Sequence, residues 1–244
     1  MTSALVPKRT LAMADSQNNT ARTRLVVFLA VPLRFDKIAG FRGYVNDIMA
    51  WKEPLLHNHI TKADGSSGED YGYPMVQYRV VEGCAALFGL NDGCKLIEDF
   101  LNAEGLDARY AEYEDRANER KKISLSHQPQ RYHIAQWAAL NNANYEEYSN
   151  TPFLADRIAL LERILTNHLI NFCENVGYRF PDKALWVRIV DCSEPQHKKF
   201  TSDKGKIPRL AFAISYQTNL VMPNFIGIGK GKSKGFGVQL KGYI

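Results

Sequence analysis

Two hydrophobic periods alternate along the first half of the chain, and their order limits the fold more than any single motif does. "RLVVFLAV" (24–31) is an unbroken β-branched run, the pattern of a buried strand. In "DKIAGFRGYVNDIMAWKE" the apolar residues Ile38, Phe41, Val45, Ile48 and Met49 fall on one helical face, and Pro54 ends the pattern. "YPMVQYRVVEGCAALFGL" then reads as strand, turn at Glu82-Gly83, strand. "CKLIEDFLNAE" is a short helix, and "DARYAEYEDRANERKKISLS" closes the unit with a strand or a hairpin. The order is β-α-β-β-α-β, the split βαβ arrangement of ferredoxin-like domains.

A second unit of the same kind starts near "RYHIAQWAALN" (131–141). Its main helix is "FLADRIALLERILTNHLINFCENVG" (153–177), with Leu154, Ile158, Leu161, Leu165, Leu169 and Phe172 in register and Gly177 placed to cap it. "ALWVRIVDC", "RLAFAISYQTN" and "GFGVQL" read as strands. The expected architecture is α+β: two tandem ferredoxin-like (RRM-like) domains over 23–126 and 127–244, after a disordered tail over 1–22. Open sheet faces and loops of this kind suit single-stranded nucleic acid.

Near the end stands "GIGKGKSKGFG" (227–237), five glycines and three lysines around one serine. A P-loop is excluded by counting, because the position five before Gly231 is Ile226 rather than glycine. No nucleotide fold follows either, so a Rossmann fingerprint fails for the same reason. The glycines let backbone approach phosphate and line up N–H groups as an anion nest. On an extended loop Lys230, Lys232 and Lys234 would project to one side as a charged row.

Charge supports a polyanionic partner. From Lys198 onward nine Lys/Arg face one acid, whereas Glu98–Glu119 holds eight acids and two arginines. The four cysteines form no C-x-x-C pair and read as reduced residues of a cytoplasmic protein. No apolar run is long enough to span a membrane, and the N-terminus lacks a secretory h-region.

"HNH" (57–59) places His57 and His59 on the same side of an extended segment. Two imidazoles titrating near ~6.5 can act as general base and general acid. On RNA such a pair needs no metal or cofactor: one group takes the proton of a 2′-OH, the oxygen attacks phosphorus, and the other protonates the departing 5′-oxygen. Lys52, Lys62 and Arg42 are nearby cations in sequence, and Tyr71 or Tyr73 is placed to position a phosphate or donate a proton. A structural role or half of a metal site stays open for the pair, although no third ligand is evident. His168 reads as packing or capping, and His197 belongs to the basic stretch.

"FRGYV…LLHNH", "YPMVQYRVVEGCAALFGLNDG", "LNNANYEEY", "LLERILTNHLINF" and "TNLVMPNFIGIGKGKSKGFGVQL" occur in this order from Arg24 onward. Together they resemble the CRISPR-associated endoribonucleases that cut precursor CRISPR RNA within its repeats (the Cas-six family), in the branch with a His-x-His after its first helix. The resemblance implies tandem ferredoxin-like domains and metal-independent cleavage leaving 5′-OH and 2′,3′-cyclic phosphate ends. By position His57 and His59 fall on the catalytic histidines of that branch, with Lys52 and Tyr71 as candidate helpers. Gly227, Gly229, Lys230, Gly231, Lys232, Ser233, Lys234, Gly235 and Gly237 fall on its RNA-facing loop, with Arg42 as a further RNA contact. The implied partner is CRISPR repeat RNA. Other CRISPR effector subunits and a second copy of the chain stay open as partners, and a non-catalytic RNA-binding subunit is the rival reading.

Overall fold

The computed structural model describes residues 19–50, 56, 59–61, 67–69, 72–179, 184–202 and 205–242. In the first unit β1 (Thr20–Pro32) is followed by α1 (Ile38–Ile48), the hairpin β4 (Val76–Val81)–β5 (Cys84–Leu90) and α2 (Asp92–Leu101). The hairpin turns on Glu82 and Gly83, both with positive φ (51° and 80°), the geometry that follows the right-handed twist of the two strands. β6 (Tyr113–Asp115) and β7 (Glu119–Lys122) both pair antiparallel with β1, so the closing segment is one bulged strand rather than a hairpin. Between them the amide of Arg116 still donates to Leu25 O (2.8 Å), and Leu25 N donates to Ala117 O (3.1 Å). The strand order β4-β5-β1-β6 is the ferredoxin-like order.

β1 opens at Thr20, inside the stretch expected to be a polar tail. Pairing with β7 and the bond from Arg22 Nη2 to Glu98 Oε1 (2.6 Å) hold this end. A second departure lies in the Gly-, Ser- and Asp-rich stretch after the His pair, which composition marks as a loop. There β2 (His59–Thr61) and β3 (Ser67–Glu69) form a separate two-stranded ladder, with His59 opposite Glu69.

The second unit runs β8 (Ser124–Trp137), α3 (Asn142–Asn150), α4 (Leu154–Asn175), β9 (Val187–Cys192), β10 (Gln196–Ser202), β11 (Gly205–Val221) and β12 (Gln239–Lys241). Its order is β10-β11-β8-β12, with β9 sharing the same edge of β11, which repeats the first unit's pattern. α4 ends as expected: Tyr178 N donates to Cys173 O (2.8 Å) and Gly177 N to Glu174 O (3.2 Å), the paired bonds of a Schellman cap. One element of the fold is replaced. Between β11 and β12, where a ferredoxin-like unit carries its second helix, this chain has the glycine-rich stretch and only a short 3-10 turn, Lys232–Lys234.

The two units share a core. On one face of the first sheet Val26, Phe28, Tyr78 and Leu87 pack with Phe41, Val45, Ile97 and Phe100 of α1 and α2. On the other face Leu25, Val27, Ala86 and Phe88 join a cluster with Tyr132, Ile134 and Trp137 of β8 and with Leu161, Leu165 and Phe172 of α4. "LVVF" is apolar at every position because both faces of β1 are covered; each such side chain contributes on the order of 1.5–3 kcal/mol. All four cysteines are free thiols. Among the described residues no helix is long and apolar enough to cross a membrane.

Candidate functional site

The glycine-rich stretch is a folded wedge between the two units, with no residue from 227 to 237 fully exposed. It doubles back on itself: Ile228 N donates to Gly237 O (2.8 Å) and Gln239 N to Ile226 O (2.9 Å). It is stitched to the end of β8 by Lys230 N→Ala138 O (3.0 Å) and Gly237 N→Gln136 O (2.9 Å). It reaches the first unit through Phe236, whose ring stands edge-on to Phe35 at 4.8 Å.

Packing accounts for several of the glycines. A Cβ on Gly237 would lie 1.8 Å from Ile228 O, and at φ +66° any side chain would be strained. A Cβ on Gly229 (φ +89°) would meet Ala138 O and the Trp137 indole at 2.9 Å. The expectation of a free extended loop is therefore corrected: the stretch is folded, with the amides of Ile228, Lys230 and Gly237 bonded within the second unit.

The lysine row is corrected as well. Lys232–Lys234 is a 3-10 turn between Gly231 and Gly235, both left-handed, so the lysines point in different directions. Lys232 turns inward with its ammonium 4.9 Å from the centre of the Tyr73 ring. Burial, and then the charge of Lys230, pull its pKa down to about 8. Lys230 is half-buried and is lowered by burial and by Arg209.

Beneath the wedge runs a buried polar chain that the sequence reading missed. Arg79 Nη2 donates to Gln77 Oε1 (2.6 Å), Gln77 Nε2 to the Tyr73 hydroxyl (3.1 Å), and that hydroxyl to Gly227 O (2.9 Å). Arg79 is 2% exposed, lies 4.5 Å over the Phe88 ring, and its Nε and Nη1 find no hydrogen-bond partner among the described residues. Burial pulls the guanidinium down to about 9 and pushes the Tyr73 phenol up to about 12. Tyr73 thus holds the loop and is not placed to donate a proton to substrate. The available signal was in β4, where Gln77 and Arg79 put polar groups two apart on an otherwise apolar face.

His168 packs as expected. Its Nδ1 accepts from Trp137 Nε1 (3.3 Å), and burial, then Lys232 and Lys230, lower its pKa to about 4. It is a neutral imidazole under the wedge.

β4 also holds the approach to the His pair. The Tyr78 hydroxyl donates to Leu56 O (3.1 Å), and Leu56, only 3% exposed, directly precedes His57 in sequence. The backbone carbonyl of Tyr78 lies 3.3 Å from where a Cβ on Gly235 would stand. Arg42 on α1 acts on the Tyr78 phenol, whose pKa burial raises and the arginine lowers. One strand residue therefore meets Leu56, the wedge and the field of Arg42. Of the expected catalytic residues, Lys52, His57 and Tyr71 lie outside the described residues, and His59 is placed only as the first residue of β2.

Residues 21–128 match the sequence model of the Cas6b N-terminal domain, and residues 124–241 that of the Cas6b C-terminal domain. The fold resembles a crystal structure of Cas6b with a TM-score of 0.74 at 21% identity, over 91% of this chain and 99% of that one. It also resembles a structure of the CRISPR RNA processing endoribonuclease Cas6b, with a TM-score of 0.67 at 20% identity over 91% and 99%. At such identities the likeness speaks to the tandem ferredoxin-like fold. An uncharacterized protein of Methanocaldococcus jannaschii is 28% identical over 108 residues, 44% of this chain and 69% of the relative.

Proposed function

Since the chain belongs to the Cas6b family, we propose that it is an endoribonuclease that cuts precursor CRISPR RNA within its repeats. In this reading 23–126 and 127–244 are the two domains, and RNA lies across their junction. One of His57 and His59 takes the proton of a 2′-OH and that oxygen attacks the adjacent phosphorus. The P–O5′ bond breaks, and the other imidazole gives its proton to the leaving 5′-oxygen. The products carry a 2′,3′-cyclic phosphate and a 5′-OH. Lys52 and Arg42 offset the charge that grows on the phosphorane, and Tyr71 orients the phosphate. The balance needs neither metal nor cofactor.

The observation that supports this reading is the double role of Tyr78. It anchors Leu56 through its hydroxyl and abuts Gly235 through its backbone, so the residue before His57 and the lysine-bearing wedge lean on one point. The wedge gains cation density where an RNA backbone would cross, with Lys230 and Lys234 adding salt-dependent affinity.

The test is cleavage of the organism's own repeat RNA in EDTA, beside copies carrying a single 2′-deoxy at each candidate position. Cutting in EDTA that one deoxy substitution blocks is the expected result. Tight binding without cutting would favour a non-catalytic RNA-binding subunit, and cutting that depends on added magnesium or manganese would sink the acid–base mechanism.

A further inference from the structure

A cavity of about 390 Å³ has walls that include Leu140, Asn142, Tyr145, Glu146, Arg209 and Leu210. Its parts come from distant stretches: the start of α3, the first residues of β10, and the first third of β11. Leu140 and Leu210 form an apolar floor. Tyr145 is 46% exposed, so a face of its ring is open to a ligand.

Polar groups of both kinds surround this floor. The Asn141 carboxamide oxygen is used to cap α3, accepting from Asn144 N at 2.7 Å, which leaves its NH2 as a fixed donor. Arg209 is anchored by Nη1→Leu140 O (3.3 Å), the bond its fork makes among the described residues. Glu146 supplies acceptors, Asn142 both donor and acceptor, and His197 an imidazole. Among the described residues no lysine, which would suit a phosphate, lines the cavity. An aromatic face, a guanidinium plane, and amides that read both donors and acceptors suit an unstacked nucleobase.

The cavity and the wedge are tied to the same short segment, Ala138 to Leu140. Lys230 bonds Ala138 through its backbone, Arg209 bonds Leu140 through its side chain, and the charge of Arg209 is felt at Lys230. Two residues of extended chain span about 7 Å, so a phosphate at Lys230 and a base in the cavity can belong to neighbouring nucleotides.

We propose that this cavity is a nucleotide pocket that takes one flipped-out base of the single-stranded repeat RNA, stacked on Tyr145 and read at its edge by Asn142, Glu146 and Arg209. The proposal rests on the reading of the chain as an RNA-processing enzyme and adds a determinant of sequence preference remote from the histidines.

The experiment is an abasic scan of the repeat RNA against the full-length wild type, Tyr145→Ala and Tyr145→Phe, read by equilibrium binding. Tyr145 is on the surface, so neither variant threatens folding. One abasic position should weaken wild-type binding by roughly five- to hundredfold, the range for a missing base–aromatic stack. Tyr145→Ala should weaken intact RNA similarly and lose its sensitivity at that position alone, while Tyr145→Phe stays like wild type. If Tyr145→Ala shows the same abasic profile as wild type while cleavage proceeds, the pocket is refuted and the enzyme reading stands. If the wild type neither binds nor cuts any repeat RNA, both are refuted.

Discussion

The hydroxyl of Tyr73 donates to the carbonyl of Gly227 across 2.9 Å, joining the first domain to the wedge of the second between residues 154 positions apart. The bond is buried, and Gln77 Nε2 donates to the same oxygen (3.1 Å). Tyr73→Phe takes this donor from Gly227 O and leaves Gln77 Nε2 with only its bond to Pro74 O (3.1 Å). It should lower unfolding free energy by about 1–3 kcal/mol, seen as a lower urea midpoint at unchanged slope.

The wedge also predicts a sharp contrast between two glycines. Gly237→Ala drives a Cβ into Ile228 O at a left-handed backbone and should destabilise by more than about 1 kcal/mol, loosening the domain junction. Gly43→Ala on α1 meets nothing within 4 Å among the described residues and should stabilise by about 0.5–1 kcal/mol. Parallel thermal melts of the two variants decide the matter; equal shifts would contradict this packing of the wedge.

These two glycines also show what sequence can and cannot reveal. The first domain was legible because its periods are local: a β-branched run, a helical face ending near Ile48, and a turn at Glu82-Gly83 each carry their own signal. Helix α4 was legible to its cap for the same reason. The wedge was not. Four of its glycines take positive φ, which leaves many paths open, and the one taken is selected by Trp137, Ile38 and Tyr78 from other parts of the chain. The β2–β3 ladder was hidden by a composition that reads as loop. Gln77 and Arg79 were visible as polar residues on an apolar face, but only their three-dimensional neighbours explain them. The His pair is the reverse case, conspicuous in sequence and placed in space only through Leu56 and the backbone of His59.

His168 predicts an acid limb of stability. Its folded pKa, about 4, lies below the ordinary 6.5, so the unfolded chain takes up the proton first as pH falls. Stability should therefore decline from about pH 6.5 toward 4, at up to about 1.4 kcal/mol per unit, and His168→Gln should remove this part of the decline. Urea midpoints at pH 7, 6, 5 and 4 measure it, and a variant as acid-sensitive as wild type would contradict the assignment.

Lys232 predicts an alkaline limb of stability. Its folded pKa of about 8 lies below the ordinary lysine value of 10.5, so above pH 8 the unfolded chain holds the extra proton and stability rises with pH. Its ammonium faces the Tyr73 ring, so the effect is on folding. Across pH 7 to 9 the wild-type urea midpoint should rise, and in Lys232→Met this trend should flatten. Lys230→Met should reduce the slope of log affinity against log salt by about 0.7 for each phosphate left unneutralised, while cleavage at saturating RNA stays near the wild-type rate. His57→Ala and His59→Ala should do the opposite, leaving affinity and salt slope in place and removing the cut. A Lys230→Met enzyme that binds normally but no longer cleaves would move the chemistry away from the histidines and onto the wedge.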